Sequence, residues 1–121
     1  MNFLAHAYLS FGHPEILVGN LVSDFVKGAA YKNFPEPIQH GIRLHRRIDA
    51  FTDEHPATRT ARTLFVPHYR LYSGALVDIL YDHYLANDPE HFSEESLYAF
   101  TQQVYRTLEQ HAPVLPNRFV Q

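Results

Sequence analysis

Cysteine is absent from the 121 residues. That excludes thiol nucleophiles, thiolate metal sites and disulfides, and it suits a reducing cytoplasm. No apolar run approaches the length needed to span a bilayer. The start, Met1-Asn2-Phe3-Leu4-Ala5-His6, lacks the basic region and long apolar core of a secretory signal. Neither sign of charge dominates: the formal net charge is −3 and the pI about 6.3, so nothing points to nucleic acid or a membrane surface as a partner. Glycine is scarce, at five residues, and no stretch alternates apolar and polar residues as a half-buried strand does. What is present is a chain 45% apolar and 14% aromatic, enough for one folded domain with a modest core. Nine histidines are the one compositional excess, and histidine excess raises the odds of metal binding or acid–base work.

The eight prolines fall mainly between helical patterns and mark their ends. A short apolar helix is expected over 2–9. Pro14 opens a second helix that carries Asn20 and Asp24 and ends before Gly28. A loop at 33–37 leads into a long helix over 37–53, and His55-Pro56 breaks it. A further helix covers 58–65. Pro67 opens another that runs to about residue 86, with Ser73-Gly74 able to kink or divide it. Ser93 is a natural N-cap, with Glu94 and Glu95 in the first turn where the helix dipole favours negative charge, and the last helix stops before Pro113. The expectation is an all-α fold: a single helical domain over 1–121 with five or six helices.

Several polar groups stand in apolar surroundings. The segment Leu76-Val77-Asp78-Ile79-Leu80-Tyr81-Asp82-His83-Tyr84-Leu85 is otherwise hydrophobic on every side, the mark of a buried helix. Asp78 and Asp82 are four apart, so they share a face and repel unless a cation compensates them. Arg43, Arg46 or Arg47 could supply that cation in a purely structural network, and a metal ion is the alternative. His45 and Asp49 form a second i, i+4 pair, which taken alone is an ordinary helical contact. His6 is either a core histidine bonded to a carbonyl or a ligand. Asn20 and Asp24 either cross-link neighbouring helices or contribute to a site. Imidazole with carboxylate suits Mn²⁺, Fe²⁺, Zn²⁺ or Mg²⁺, ions that activate water and neutralise phosphoryl charge. Arg46 and Arg47 match phosphate oxygens bidentately.

The ordered segments resemble those of the acyl carrier protein phosphodiesterases. They are Met1–His6, Gly19-Asn20-Leu21-Val22-Ser23-Asp24-Phe25-Val26-Lys27-Gly28, Gly41-Ile42-Arg43-Leu44-His45-Arg46-Arg47-Ile48-Asp49 with Thr52-Asp53, and Asp78–Leu85. The resemblance implies an HD-domain-like helical fold and hydrolysis of 4′-phosphopantetheine from holo-acyl carrier protein, with manganese as the metal. It also implies that His6, Asp24, His45, Asp49, Asp78, Asp82 and His83 contain the metal site. The expected ligands are His45, Asp49 and Asp82, completed by His6, Asp24 or His83. Asp78 is expected to accept a proton or orient an imidazole, with Arg46 and Arg47 on the phosphate. The acidic carrier protein calls for a local basic patch, for which Lys27, Lys32, Arg43, Arg59 and Arg62 are candidates. Family members continue through further C-terminal helices, so self-association is one way to cover faces left open here. Two rival readings are a non-catalytic, self-associating helical module and a hydrolase of a nucleotide or another small phosphoester.

Overall fold

The computed structural model describes residues 2–116 and 119. Six α-helices are bounded among the described residues: α1 (Phe3–Tyr8), α2 (Pro14–Val22), α3 (Glu36–Glu54), α4 (Pro56–Tyr69), α5 (Ser73–Ala86) and α6 (Glu94–Gln110). Short 3₁₀ turns occur at Ser23–Phe25, Gly28–Asn33, Arg70–Tyr72 and Ala112–Val114. No strand occurs among the described residues, and the fold is all-α. Nor is any described helix long and apolar enough to cross a membrane.

The frame is the α2–α3 pair, the most extensive packing in the molecule. Glycine makes it possible. A Cβ on Gly19 would collide with the Ile38 carbonyl oxygen and stand 2.8 Å from the Gly41 Cα; one on Gly41 would collide with the Ile16 carbonyl oxygen. Because neither residue has a side chain, the two backbones touch. Around this contact Val18, Val22, Val26, Ile38 and Ile42 form the main core, with Tyr31, Phe34 and Leu108 against it. A second cluster of Ala7, Leu17 and Leu21 is covered by Phe100 and Val104 of α6. Helix α6 starts as its sequence dictates. The Ser93 hydroxyl accepts the Ser96 N–H, and the Ser96 hydroxyl accepts the Ser93 N–H, a reciprocal cap.

Three local expectations are corrected. Helix α2 ends at Val22 and tightens into the 3₁₀ turn that bears Asp24. Helix α4 runs through Pro67, and the break falls at Arg70–Tyr72 with Arg70 at φ 43°. The division therefore lies just before Ser73-Gly74, not at the proline. Helix α5 is not buried all round: Val77 is fully buried, but Ile79 is 55% and Tyr84 63% exposed. Its principal neighbours are α1 and α4, which cover part of its circumference, so an apolar composition does not bring burial on every side.

Candidate metal centre

The glycine contact places the next turns of α2 and α3 face to face, and these turns bear Asn20 and His45. The His45 Nδ1 lies 2.7 Å from the Asn20 carbonyl oxygen. A carbonyl only accepts, so Nδ1 carries a proton and Nε2 faces the opposite way. There it meets an Asp24 oxygen and an Asp49 oxygen, each at 3.2 Å. Both are at ion-pair distance but off the hydrogen-bond direction, and among the described residues the buried Nε2 has no hydrogen-bond partner. Fixing one ring nitrogen on a carbonyl while the other points at carboxylates is the arrangement that orients metal-binding histidines.

Helix α1 brings His6 to the same point. Its ring stacks on that of His45, with centroids 3.8 Å apart and planes 11° from parallel. His6 Nε2 is 3.1 Å from the other Asp49 oxygen, so Asp49 bridges both imidazoles. His6 is 1% and His45 5% exposed. The backbone of α1 is fastened at this residue: the His6 carbonyl accepts from Ser10 Oγ at 2.9 Å and Asn20 Nδ2 at 3.0 Å. Asn20 therefore holds one histidine through its backbone and steadies the other through its side chain. The i, i+4 spacing to Asp24 hinted at such a cross-link; Ser10 had no comparable signal.

The charges follow from this geometry. Burial works against a charged His45, but Asp24 and then Asp49 outweigh it and raise its pKa to about 9. Burial pushes the Asp49 carboxyl up, and the His45 and His6 imidazoles beside it more than reverse that, holding it well below the usual carboxylate range. Asp24 is lowered, chiefly by the His45 imidazole that faces it. Without a metal, a proton on His45 is the cation the two carboxylates share. One ligand atom each from His6, His45 and Asp49 lies within 4.8 Å of the others, close enough to hold an ion. Two imidazoles and a carboxylate with a buried, unpartnered Nε2 fit a divalent ion of the borderline-hard class.

A cleft of about 380 Å³ opens on this cluster, lined by Ser23, Asp24, Lys27, Gly28, His45, Arg46 and Asp49 among others. Arg46 Nη2 donates to the Val26 and Gly28 carbonyls at 3.2 and 3.1 Å, and its guanidinium lies 5.2 Å from the Tyr31 ring centroid. Part of its donor fork is thus spent on the loop wall. Arg47 is exposed on α3.

Of the candidate residues, His6, Asp24, His45 and Asp49 come together, and Arg46 lines the same cleft. Among the described residues, the group of ligand atoms drawn together by His6, His45 and Asp49 includes none from α5. His83 is exposed, with its ring against Tyr84. Asp78 is half-buried. The Asp82 carboxylate accepts the backbone N–H groups of Leu4 and Ala5, both at 3.0 Å. The cation expected opposite the α5 carboxylates is, for Asp82, the positive end of the α1 backbone.

A family profile described as acyl carrier protein phosphodiesterase matches residues 1–121. The chain belongs to the acyl carrier protein phosphodiesterase family. A Yersinia pestis protein of that name is 39% identical over 120 residues, which is 98% of this chain and 62% of the relative. The Photorhabdus laumondii protein is 38% identical over 98% of this chain and 61% of its own length. The Pectobacterium atrosepticum protein is 45% identical over 86 residues, or 71% of this chain and 45% of the relative. The chain thus spans about three fifths of the curated relatives it matches along its whole length. No solved structure matches it.

Proposed function

We propose that the chain is a divalent-metal-dependent phosphodiester hydrolase that removes 4′-phosphopantetheine from holo-acyl carrier protein, leaving the apo form. The observation that carries this reading is the buried His6–His45–Asp49 cluster, in a chain whose family is named for that reaction. His6, His45 and Asp49 hold the ion, with Asp24 at the solvent lip of the site. Mn²⁺ is the ion we favour, and Fe²⁺, Zn²⁺ and Mg²⁺ suit the same donors. When bound, the ion supplies Lewis acidity toward a phosphoryl oxygen and lowers the pKa of water.

The chain's own groups do the rest. The Asn20 carbonyl keeps Nε2 of His45 turned inward. Asp24, with 68% of its side chain exposed, is placed to take a proton from an attacking water. Lys27 and Arg46, on the cleft wall, supply positive charge to the phosphate oxygens. Arg46 and the exposed Arg47 on α3, with Lys27, offer an acidic carrier protein local positive charge despite the net negative charge, while Arg43 is paired with Glu36. Asp78, Asp82 and His83 fall outside this ligand set. A cytoplasmic setting without nucleic acid accords with this role. Self-association would cover the exposed Leu64, Leu71 and Tyr72 (Leu71 is 96% exposed).

Incubation with holo-acyl carrier protein and Mn²⁺, followed by intact-mass analysis, tests the function. Loss of the prosthetic arm is expected, and it should disappear in His45→Ala and in metal-stripped protein. An arm left intact by a chain that binds Mn²⁺ overturns the substrate, and equal cleavage by stripped protein overturns the metal.

A further inference from the structure

Helix α1 has six residues, too few to be stable on propensity alone, because helix nucleation is unfavourable and short helices depend on tertiary ties. It nonetheless carries His6, whose ring must meet Asp49 to within a hydrogen bond. The residue at its N-cap, Asn2, is of a type that normally accepts the first free amides, yet its side chain makes no cap bond. Those amides, Leu4 and Ala5, are taken instead by the two oxygens of Asp82, one each, from a helix 77 residues or more away in sequence. The donors are the second and third amides of α1, the pair an ordinary N-cap side chain serves.

We infer that Asp82 is a positioning residue of the metal centre: a detached N-cap that sets the start of α1 and, through it, the seat of His6. The next amide, of His6 itself, returns to the Asn2 carbonyl at 3.1 Å, so the clamp adjoins the residue it positions. A slip of one residue turns a helix by about 100° and moves it about 1.5 Å, which would carry the His6 ring off Asp49. Asp82 fixes the amide side of His6, and Ser10 and Asn20 fix its carbonyl side. With Phe3, Leu4 and Ala7, Asp82 also lines an apolar cavity of about 600 Å³, surroundings that strengthen a charge-assisted hydrogen bond. Helix α5 is thereby tied to the cluster.

The experiment has two arms, and only the second rests on the metal reading. In metal-free protein, Asp82→Ala should speed hydrogen exchange at the Leu4 and Ala5 amides roughly tenfold, leave Val18 and Ile42 unchanged, and shift the His6 ring ¹⁵N resonances. Asp82→Asn keeps one acceptor and should give an intermediate change; it serves if the alanine variant does not fold. In the second arm, Asp82→Ala should weaken Mn²⁺ binding about tenfold in the parent and less than twofold in a His6→Ala background, because its effect passes through His6. Equal losses in both backgrounds, or unchanged exchange at Leu4 and Ala5, overturn the inference. If the parent takes up no Mn²⁺, the metal reading fails and the exchange and ¹⁵N results alone decide the role of Asp82.

Discussion

Adding one methyl group at Gly41 tests how the site is built. The new Cβ would collide with the Ile16 carbonyl and stand 2.8 Å from the Gly19 Cα and 2.9 Å from the Asn20 nitrogen. Carbon atoms rest about 3.5–4.0 Å apart, so α2 and α3 must open by about 0.7–1.2 Å, and every obstacle is backbone that cannot rotate away. Overpacking of this kind costs roughly 1–3 kcal/mol, occasionally more. Opening the pair also forfeits about a quarter to a half of each dispersion contact there, made by Val18, Val22, Ile38 and Ile42. Against this, alanine gains about 1 kcal/mol over glycine in a helix interior. The net expectation for Gly41→Ala is a loss of about 2 kcal/mol by urea melt, with a matching fall in Tm of roughly 5–15 °C. Metal affinity should fall with it, because the His45–Asn20 bond spans the same gap. Gly74→Ala is the control: its nearest obstacle is the end of the flexible Arg62 side chain, so it should cost well under half as much. A Gly41→Ala protein as stable as the parent would show that helix propensity, not backbone contact, governs this position.

Other perturbations act on the charges. Metal-free stability should depend on pH from two sides. The His45 pKa is raised from 6.5 to about 9, so its contribution is complete below 6.5 and is lost as pH rises through 9; that shift corresponds to about 3 kcal/mol at most. The Asp49 and Asp24 carboxyls are lowered from 3.8, so their contribution is present above 3.8 and is lost as pH falls further. Urea melts in chelator should therefore be strongest between about pH 4 and 6.5, and a midpoint still rising at pH 10 would contradict the pairing. Asp49→Asn keeps the shape of the bridge and removes its charge; it should weaken Mn²⁺ at least about 100-fold by calorimetry, and parental affinity would remove Asp49 from the ligand set. Arg46→Ala should raise KM for holo-acyl carrier protein more than it lowers kcat and loosen the loop at 26–28, and unchanged steady-state kinetics would deny it a place on the substrate.

The helical character, the α6 cap and four members of the cluster were legible in the sequence because each follows from a local or periodic rule. His6, Asp24, His45 and Asp49 stood out as polar groups among apolar neighbours, two of them as the i, i+4 pair His45–Asp49 on one helix. What was not legible depends on contacts distant in sequence. Nothing local indicates that Gly19 and Gly41 meet, although that contact sets the distance between Asn20 and His45. Asp82 looked like a ligand because two carboxylates in an apolar helix require positive charge. A pair of amides at the start of another helix meets that requirement as a cation would, and it leaves no motif. The apolar composition of α5 likewise predicted burial, but the number of neighbouring elements decides burial, and α5 packs mainly against α1 and α4.

In the proposed metal centre one divalent ion would take the place of the proton that His45 shares with Asp24 and Asp49. Calorimetric titration with Mn²⁺ at pH 7.5, in buffers of different ionisation enthalpy, measures the ion and the proton together. One ion per chain should bind with release of about one proton, and both should be lost in His45→Ala. Binding without proton release, or no binding and an unmoved Tm in excess Mn²⁺, would contradict it.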